Sequence, residues 1–383
     1  MTHDIVQLTS ADFEEALDHL NGAFGFSAGA GDFLEILPKL YRPDQMQWNY
    51  AVKTHAGIRA IIGVYPMTLH VGDKTLKVAG LGGVSTHPEA RGQGLMHRLM
   101  THCVEVMKEG NYDISCLGGL RHRYGKFGYE IGGLRYKFQF LRQNLMPDPA
   151  PAKPLRLIPF SEIDDESISV AKALHDRTAV HVNRPASEFC TVCRSWSNRP
   201  IGAFDDAGQM AGYFVADRKN NIIVELCVRD PETAMQMIRN WMDEEDLQNV
   251  MVQVKPSDLE LARRLGESAQ DIQVEQSYQW KVFHWPRTVD AFLNVRDFSE
   301  PRAHGSLVLA LSGRPNLKLS TTEHEVSCEE TDAAGQLGCT ERQGIRLLFG
   351  PQPPVGVMAL PAAAAILKSW CPLPLSWSKV DGV

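Results

Sequence analysis

Between an apolar strand pattern over residues 76–84 and an amphipathic helical pattern over 95–107, the chain holds a turn containing Arg91, Gly92, Gln93 and Gly94. Leu95, Met96, Leu99, Met100, Cys103, Val106 and Met107 share one broad helical face, and Gly110 is placed to stop the helix. A further strand pattern follows at 114–117. Strand, glycine turn, helix and strand in that order require a mixed α/β layer rather than an all-helical or all-strand core. The order also has chemical meaning. The first amides of a helix have no internal acceptor and carry the positive end of its dipole, and glycines let an anion approach the backbone closely. A phosphate fits this turn, with Arg91 adding a forked cationic donor. The plainer reading is a turn that only connects strand to helix.

At 383 residues, and roughly 100 to 200 per domain, two or three domains are expected. Pro147, Pro149, Pro151 and Pro154 make 145–154 the clearest linker. Before it, strand patterns at 5–8, 48–52, 58–65, 67–71, 76–84, 114–117 and 134–141 alternate with helices. After it, strands at 201–204, 210–216, 222–228, 250–254 and 278–283, with helices over 231–244 and 257–265, repeat that order with little identity. From residue 285 the pattern changes to α+β: a helix over 289–295, strands at 306–311, 323–328 and 345–349, and an Ala-rich helix over 360–370. The expected division is 1–146, 154–284 and 285–383. Prolines and apolar residues lead up to Val383, where a frayed tail is usually more polar.

Lys and Arg number 39 against 46 Asp and Glu, a net charge of −7 that argues against nucleic-acid binding. No stretch approaches the roughly 18 apolar residues of a membrane span, and the first residues lack a signal-peptide pattern, so a cytoplasmic protein is expected. Eight scattered cysteines read as free thiols. Cys190 and Cys193 form the only C-x-x-C, with no second pair or suitably spaced His, and no metal site is proposed.

The segment Arg91-Gly92-Gln93-Gly94-Leu95-Met96 resembles the acetyl-CoA motif of the GCN5-related N-acetyltransferase (GNAT) superfamily, Q/R-x-x-G-x-G/A, with Met96 departing at the last position. Arg123-Tyr124-Gly125-Lys126-Phe127-Gly128-Tyr129-Glu130 is similar to a signature of the enhanced-intracellular-survival (Eis-like) acetyltransferases. That resemblance implies tandem GNAT-like mixed sheets flanked by helices, the second degenerate, plus a C-terminal α+β domain like sterol carrier protein. It implies acetyl-CoA as co-substrate, a primary amine as acceptor, and assembly into a hexamer. The cofactor residues it implies are Val84, Ser85, Thr86, Arg91, Gly92, Gln93, Gly94 and Leu95. Tyr124 is implied as the acid that protonates the departing thiolate, and the carboxylate of Val383 as a group in the active site. At a pKa near 3.5, that carboxylate suits orienting the amine better than deprotonating it directly. Packing alone also accounts for Tyr124 and for an ordered tail, and half-exposed strand positions account for Ser85 and Thr86.

In the second region Asp230 and Glu232 stand where pyrophosphate would sit, so one CoA site per chain is expected. The acidic net charge points mildly to a cationic acceptor. The competing readings are a CoA-binding protein without turnover and a lipid carrier.

Overall fold

The computed structural model describes residues 4–26, 32–145, 155–297, 303–323 and 325–383. Of the linker expected over 145–154, only Leu145 lies among them. In chain order the strands are β1 (Ile5–Gln7), β2 (Asn49–Thr54), β3 (Gly57–Val71), β4 (Lys74–Thr86), β5 (Ile114–Leu117), β6 (Glu130–Ile131), β7 (Leu134–Leu141), β8 (Arg156–Pro159), β9 (Val180–Val182), β10 (Arg199–Phe204), β11 (Met210–Ala216), β12 (Ile222–Val228), β13 (Asn249–Val254), β14 (Asp271–Gln276), β15 (Gln279–Val282), β16 (Gly305–Leu311), β17 (Asn316–Thr321), β18 (Val326–Thr331) and β19 (Leu337–Cys339). They form sheets in the orders β1-β2-β3-β4-β5-β15-β6, with β9 beside β3; β14-β7-β13-β12-β11-β10-β8; and β18-β17-β16-β19.

The first two sheets exchange a strand. β7, which precedes the proline segment, lies between β13 and β14 of the second sheet. β15, from the end of the second region, lies between β5 and β6 of the first. Phe138 and Phe140 therefore pack in the second core, and Trp280 is fully buried in the core under the first. The architectural repeat is visible in the connections. Each sheet contains one parallel pair, β4 with β5 and β12 with β13, joined by the helices Leu95–Glu109 and Pro231–Glu244.

β3 is one long strand where two were expected, although Pro66 lies inside it. Pro66 faces Ala79 of β4, and on the opposite side β2 pairs only up to Gly63 while β9 begins pairing at Leu69. Its missing N–H falls in that gap and removes no ladder bond.

In the third region the helix Trp285–Asp297 lies chiefly against β18, and its Val289 and Phe292 share one core with Leu307, Leu309, Leu317 and Leu319. The same core takes in Leu69, Val71, Leu76 and Val78, so this region is joined to the first sheet by continuous apolar packing. The strand expected at 345–349 is instead part of the helix Glu341–Phe349, started by a reciprocal cap between Thr340 and Gln343. The Ala-rich helix expected over 360–370 reduces to a turn at Ala362–Ala364 and a short helix at Leu367–Trp370. Among the described residues no helix is long and apolar enough to cross a membrane.

Candidate active site

β4 and β5 pair from Val78 opposite Ile114 to Leu81 opposite Leu117. β5 ends there and the chain turns away through Gly118 and Gly119, while β4 runs on to Thr86 against β3 alone. A fork opens between the two strands. Val84, Ser85 and Thr86 lie half-buried on its unpaired edge, where backbone groups stand ready for another extended chain. At the same end of the sheet, Gly92 and Gly94 hold φ of 79° and 72°, left-handed values that side chains disfavour. Arg91, Gly92, Gln93 and Gly94 are exposed, and a Cβ on either glycine would meet nothing within 4 Å. Leu95 is buried as the first residue of its helix, and the first helical bond runs from Arg98 N–H to Gly94 O at 3.1 Å. The amides before Arg98 therefore point outward without an intrahelical acceptor.

Tyr124 ends the short helix Arg121–Tyr124 and is buried. A Cβ on Gly119 would stand 2.9 Å from its Cε2, so the ring lies against the turn that closes β5. Burial raises the phenol above its ordinary pKa, with the Arg123 guanidinium acting in the opposite direction. The group is thus protonated and able to donate at neutral pH. Tyr129 has a structural place: Ser115 Oγ donates to Ala79 O at 2.8 Å and accepts from Tyr129 Oη at 2.7 Å, all inside the core.

The C-terminus reaches the same strand. A Cβ on Gly82 would lie 2.8 Å from the carboxyl carbon of Val383, and one on Gly80 would lie 2.8 Å from its Cγ2. These two glycines leave the room that the last residue fills. Three contacts hold the tail just before it. Lys39 Nζ donates to Val380 O at 2.8 Å, and Trp196 Nε1 donates to Gly382 O at 3.4 Å. Asp381 accepts from Arg184 Nε at 2.8 Å and Nη2 at 2.9 Å. Arg184 also forks onto Glu225 of β12 at 2.7 and 2.6 Å, and all three side chains are buried. Burial pulls the Arg184 guanidinium down, but the two carboxylates outweigh it and hold the group above its usual range, while burial pulls Lys39 down to about 8.

The structure thus brings Val84, Ser85, Thr86, Gly92, Gly94, Tyr124 and Val383 to one end of the first sheet. It also adds groups that sequence reasoning missed. His19 Nδ1 donates to Ile58 O at 3.1 Å, which leaves Nε2 as an acceptor 3.2 Å from Ser85 Oγ, whose one hydrogen is shared between this nitrogen and Gly83 O at 3.1 Å. Burial lowers the imidazole pKa and favours this neutral form. No spacing announced that pair. Asp381 did give a signal, as the one acid among residues 371–383.

His175, Glu225 and Cys227 offer ligand atoms within 4.8 Å of one another. Both Glu225 oxygens already accept from Arg184, Tyr213 Oη adds a bond of 2.8 Å to Oε1, and burial raises the thiol pKa of Cys227 to about 12. A guanidinium at contact distance opposes a dication, so the donor set fits an ion-pair anchor better than a metal. In the second sheet Asp230 accepts from Thr233 N–H at 3.0 Å and Oγ1 at 2.7 Å, capping its own helix. Ser376, Trp377 and Ser378 line what remains between β12 and β13, a cavity of about 30 Å³.

Residues 4–132 match the family model described as Acetyltransferase (GNAT) domain. Over 99% of this chain and 98% of the other, the fold superposes on a GCN5-related N-acetyltransferase from Kribbella flavida with a TM-score of 0.70 at 16% identity. The fold is that of the GNAT acetyltransferases. A probable N-acyltransferase from Enterococcus faecalis V583 shares this GNAT-type architecture at a TM-score of 0.71 and 15% identity, over 98% of each chain. Eis1 from Mycobacterium abscessus does so at 0.67 and 13%, also over 98% of each chain. No curated protein matches the sequence. In this GNAT fold the fork at β4 and β5, the glycine turn and the C-terminus occupy one end of the first sheet.

Proposed function

We propose that the protein is an N-acetyltransferase that moves the acetyl group of acetyl-CoA to a primary amine. The observation that carries this reading is the fork: β4 leaves β5 after Leu81 beside an uncapped helix N-terminus, and the terminal carboxyl group lies on Gly82 of the same strand. In this reading the outward amides after Gly92 and Gly94, with Arg91, Gln93 and Leu95, hold the pyrophosphate. The pantetheine arm lies along Val84, Ser85 and Thr86, whose amides polarise the thioester oxygen. The amine nitrogen attacks the carbonyl carbon and the C–S bond breaks. The thiolate takes its proton from Tyr124, and the amine proton leaves towards the Val383 carboxylate through water. His19 holds the Ser85 side chain in place.

One site per chain follows, because the second fork is closed by the tail and Asp230 occupies the helix amides there. The division into 1–146, 154–284 and 285–383 stands in this reading as three sequence segments whose first two sheets trade β7 and β15. Residues 285–383 are read as the sterol-carrier-protein-like part, whose role is to deliver the C-terminus.

Tyr124→Phe tests the chemistry. With a panel of amines, thiol release from acetyl-CoA is expected to fall about 10²-fold or more in kcat, the scale of a lost general acid, with unchanged acetyl-CoA affinity. Equal rates in both proteins would remove Tyr124 from the mechanism. Binding of acetyl-CoA without acetylation of any amine would favour a protein that holds CoA without turnover.

A further inference from the structure

Beside Val383 and Gly119 lies a cavity of about 380 Å³, bounded by residues of β7, β13, β14 and β15 and by Lys379. It exists because of the strand exchange, which brings second-sheet side chains to the fork of the first. Its charged groups are Arg135, Lys137, Glu275, Lys379 and the terminal carboxylate. Lys137 Nζ lies 2.7 Å from Glu275 Oε1 and neutralises it. Arg135 reaches that same carboxylate only at 3.8 Å, spends its two Nη groups on Gln253 Oε1 and Gln276 O, and leaves a buried Nε without a hydrogen-bond partner. Lys379, half-buried, has no ion pair among the described residues. Gln279 donates Nε2 to Gly119 O at 2.7 Å, and its buried Oε1 has no donor.

Resting on the acetyltransferase reading, we propose that the acceptor is a primary amine that also carries a carboxylate, of amino-acid size, with that carboxylate between Arg135 and Lys379. Once the Val383 carboxylate engages the reacting amine, Arg135, Lys137 and Lys379 are left with the single carboxylate of Glu275, a surplus of positive charge that an anionic group offsets. Gln279 Oε1 is then an acceptor for an N–H of the same molecule. A second ammonium would instead meet that surplus. The net charge of −7 points the other way, but charges farther than a Debye length of about 8 Å from the site are screened, and the groups lining the cavity decide.

The test uses matched amines that differ by the carboxylate alone: lysine against cadaverine, arginine against agmatine, phenylalanine against phenethylamine. Thiol release is expected to give a kcat/KM about tenfold or more higher for the carboxylate-bearing member of each pair. Lys379→Gln should shrink that preference and Lys379→Glu should reverse it, with the acetyl-CoA Kd unchanged in both. Faster turnover of the decarboxylated members by the wild type overturns the proposal and leaves the acetyltransferase standing, as does a Lys379→Glu effect equal on both members. Acetyl-CoA binding with no thiol release from any pair overturns the proposal, and thiol release with another amine of the wider panel then shows that the acetyltransferase reading stands without it.

Discussion

Extending the chain by two glycines after Val383 is expected to abolish acetyl transfer, by about 10²-fold or more in kcat, while the acetyl-CoA Kd stays within about twofold. The reason is spatial and electrostatic at once. The terminal carboxyl carbon lies 2.8 Å from where a Cβ on Gly82 would stand and borders the cavity beside β14 and β15, so added residues either run on into that cavity or lift the tail from β4. An extension also replaces the carboxylate by a neutral amide and moves the charge elsewhere. Amidating Val383 separates the two effects, because it removes the charge with almost no change in volume. Steady-state thiol release on both proteins, with calorimetry for acetyl-CoA, reads the result. Full activity in the amidated protein would show that the tail only packs.

Replacing Arg184 by Met is expected to destabilise the fold by about 3–5 kcal/mol, because it leaves Glu225 and Asp381 as buried carboxylates with one partner gone. The loss is read as a fall in the urea midpoint. Lys39, a cation beside Asp381, loses about half its charge near pH 8, so it compensates less as the pH rises through that value. Asp381→Asn is the milder probe. It keeps the Arg184–Glu225 fork and loosens only the tail, so kcat should drop more than the urea midpoint does. A midpoint unchanged by Arg184→Met would mean that the network contributes no net stability.

The local signals in the sequence reached as far as local physics reaches. The strand, glycine turn and helix from 76 to 107 were legible because hydrophobic period and turn chemistry act within a few residues of each other. The strand patterns at 134–141 and 278–283 were legible too, but their partners were not. Alternation tells a strand which face is buried and says nothing about which neighbour it hydrogen-bonds, so the exchange of β7 and β15 left no trace. The apolar run Ile345 to Phe349 suits a strand or a helix equally. The deciding signal was Thr340 three residues before Gln343, a capping pair that outweighs the run it precedes. At the site, the motif residues were visible and the supporting ones were not. Arg184 and Glu225 lie far apart in sequence and meet Asp381 only because the tail crosses the second sheet on its way to the first.

The central claim, that acetyl-CoA binds at the glycine turn beside the β4–β5 fork, is tested most directly by calorimetry of acetyl-CoA with the wild type, Gly94→Ala and Gly94→Glu. The wild type should bind one equivalent per chain. The alanine variant carries only the strain of a side chain at φ 72° and should lose a few-fold in affinity. The glutamate variant sets a carboxylate against the pyrophosphate and should lose more than about tenfold beyond that. A wild type that does not bind acetyl-CoA, or a Gly94→Glu variant that binds as tightly as the wild type, would contradict the account.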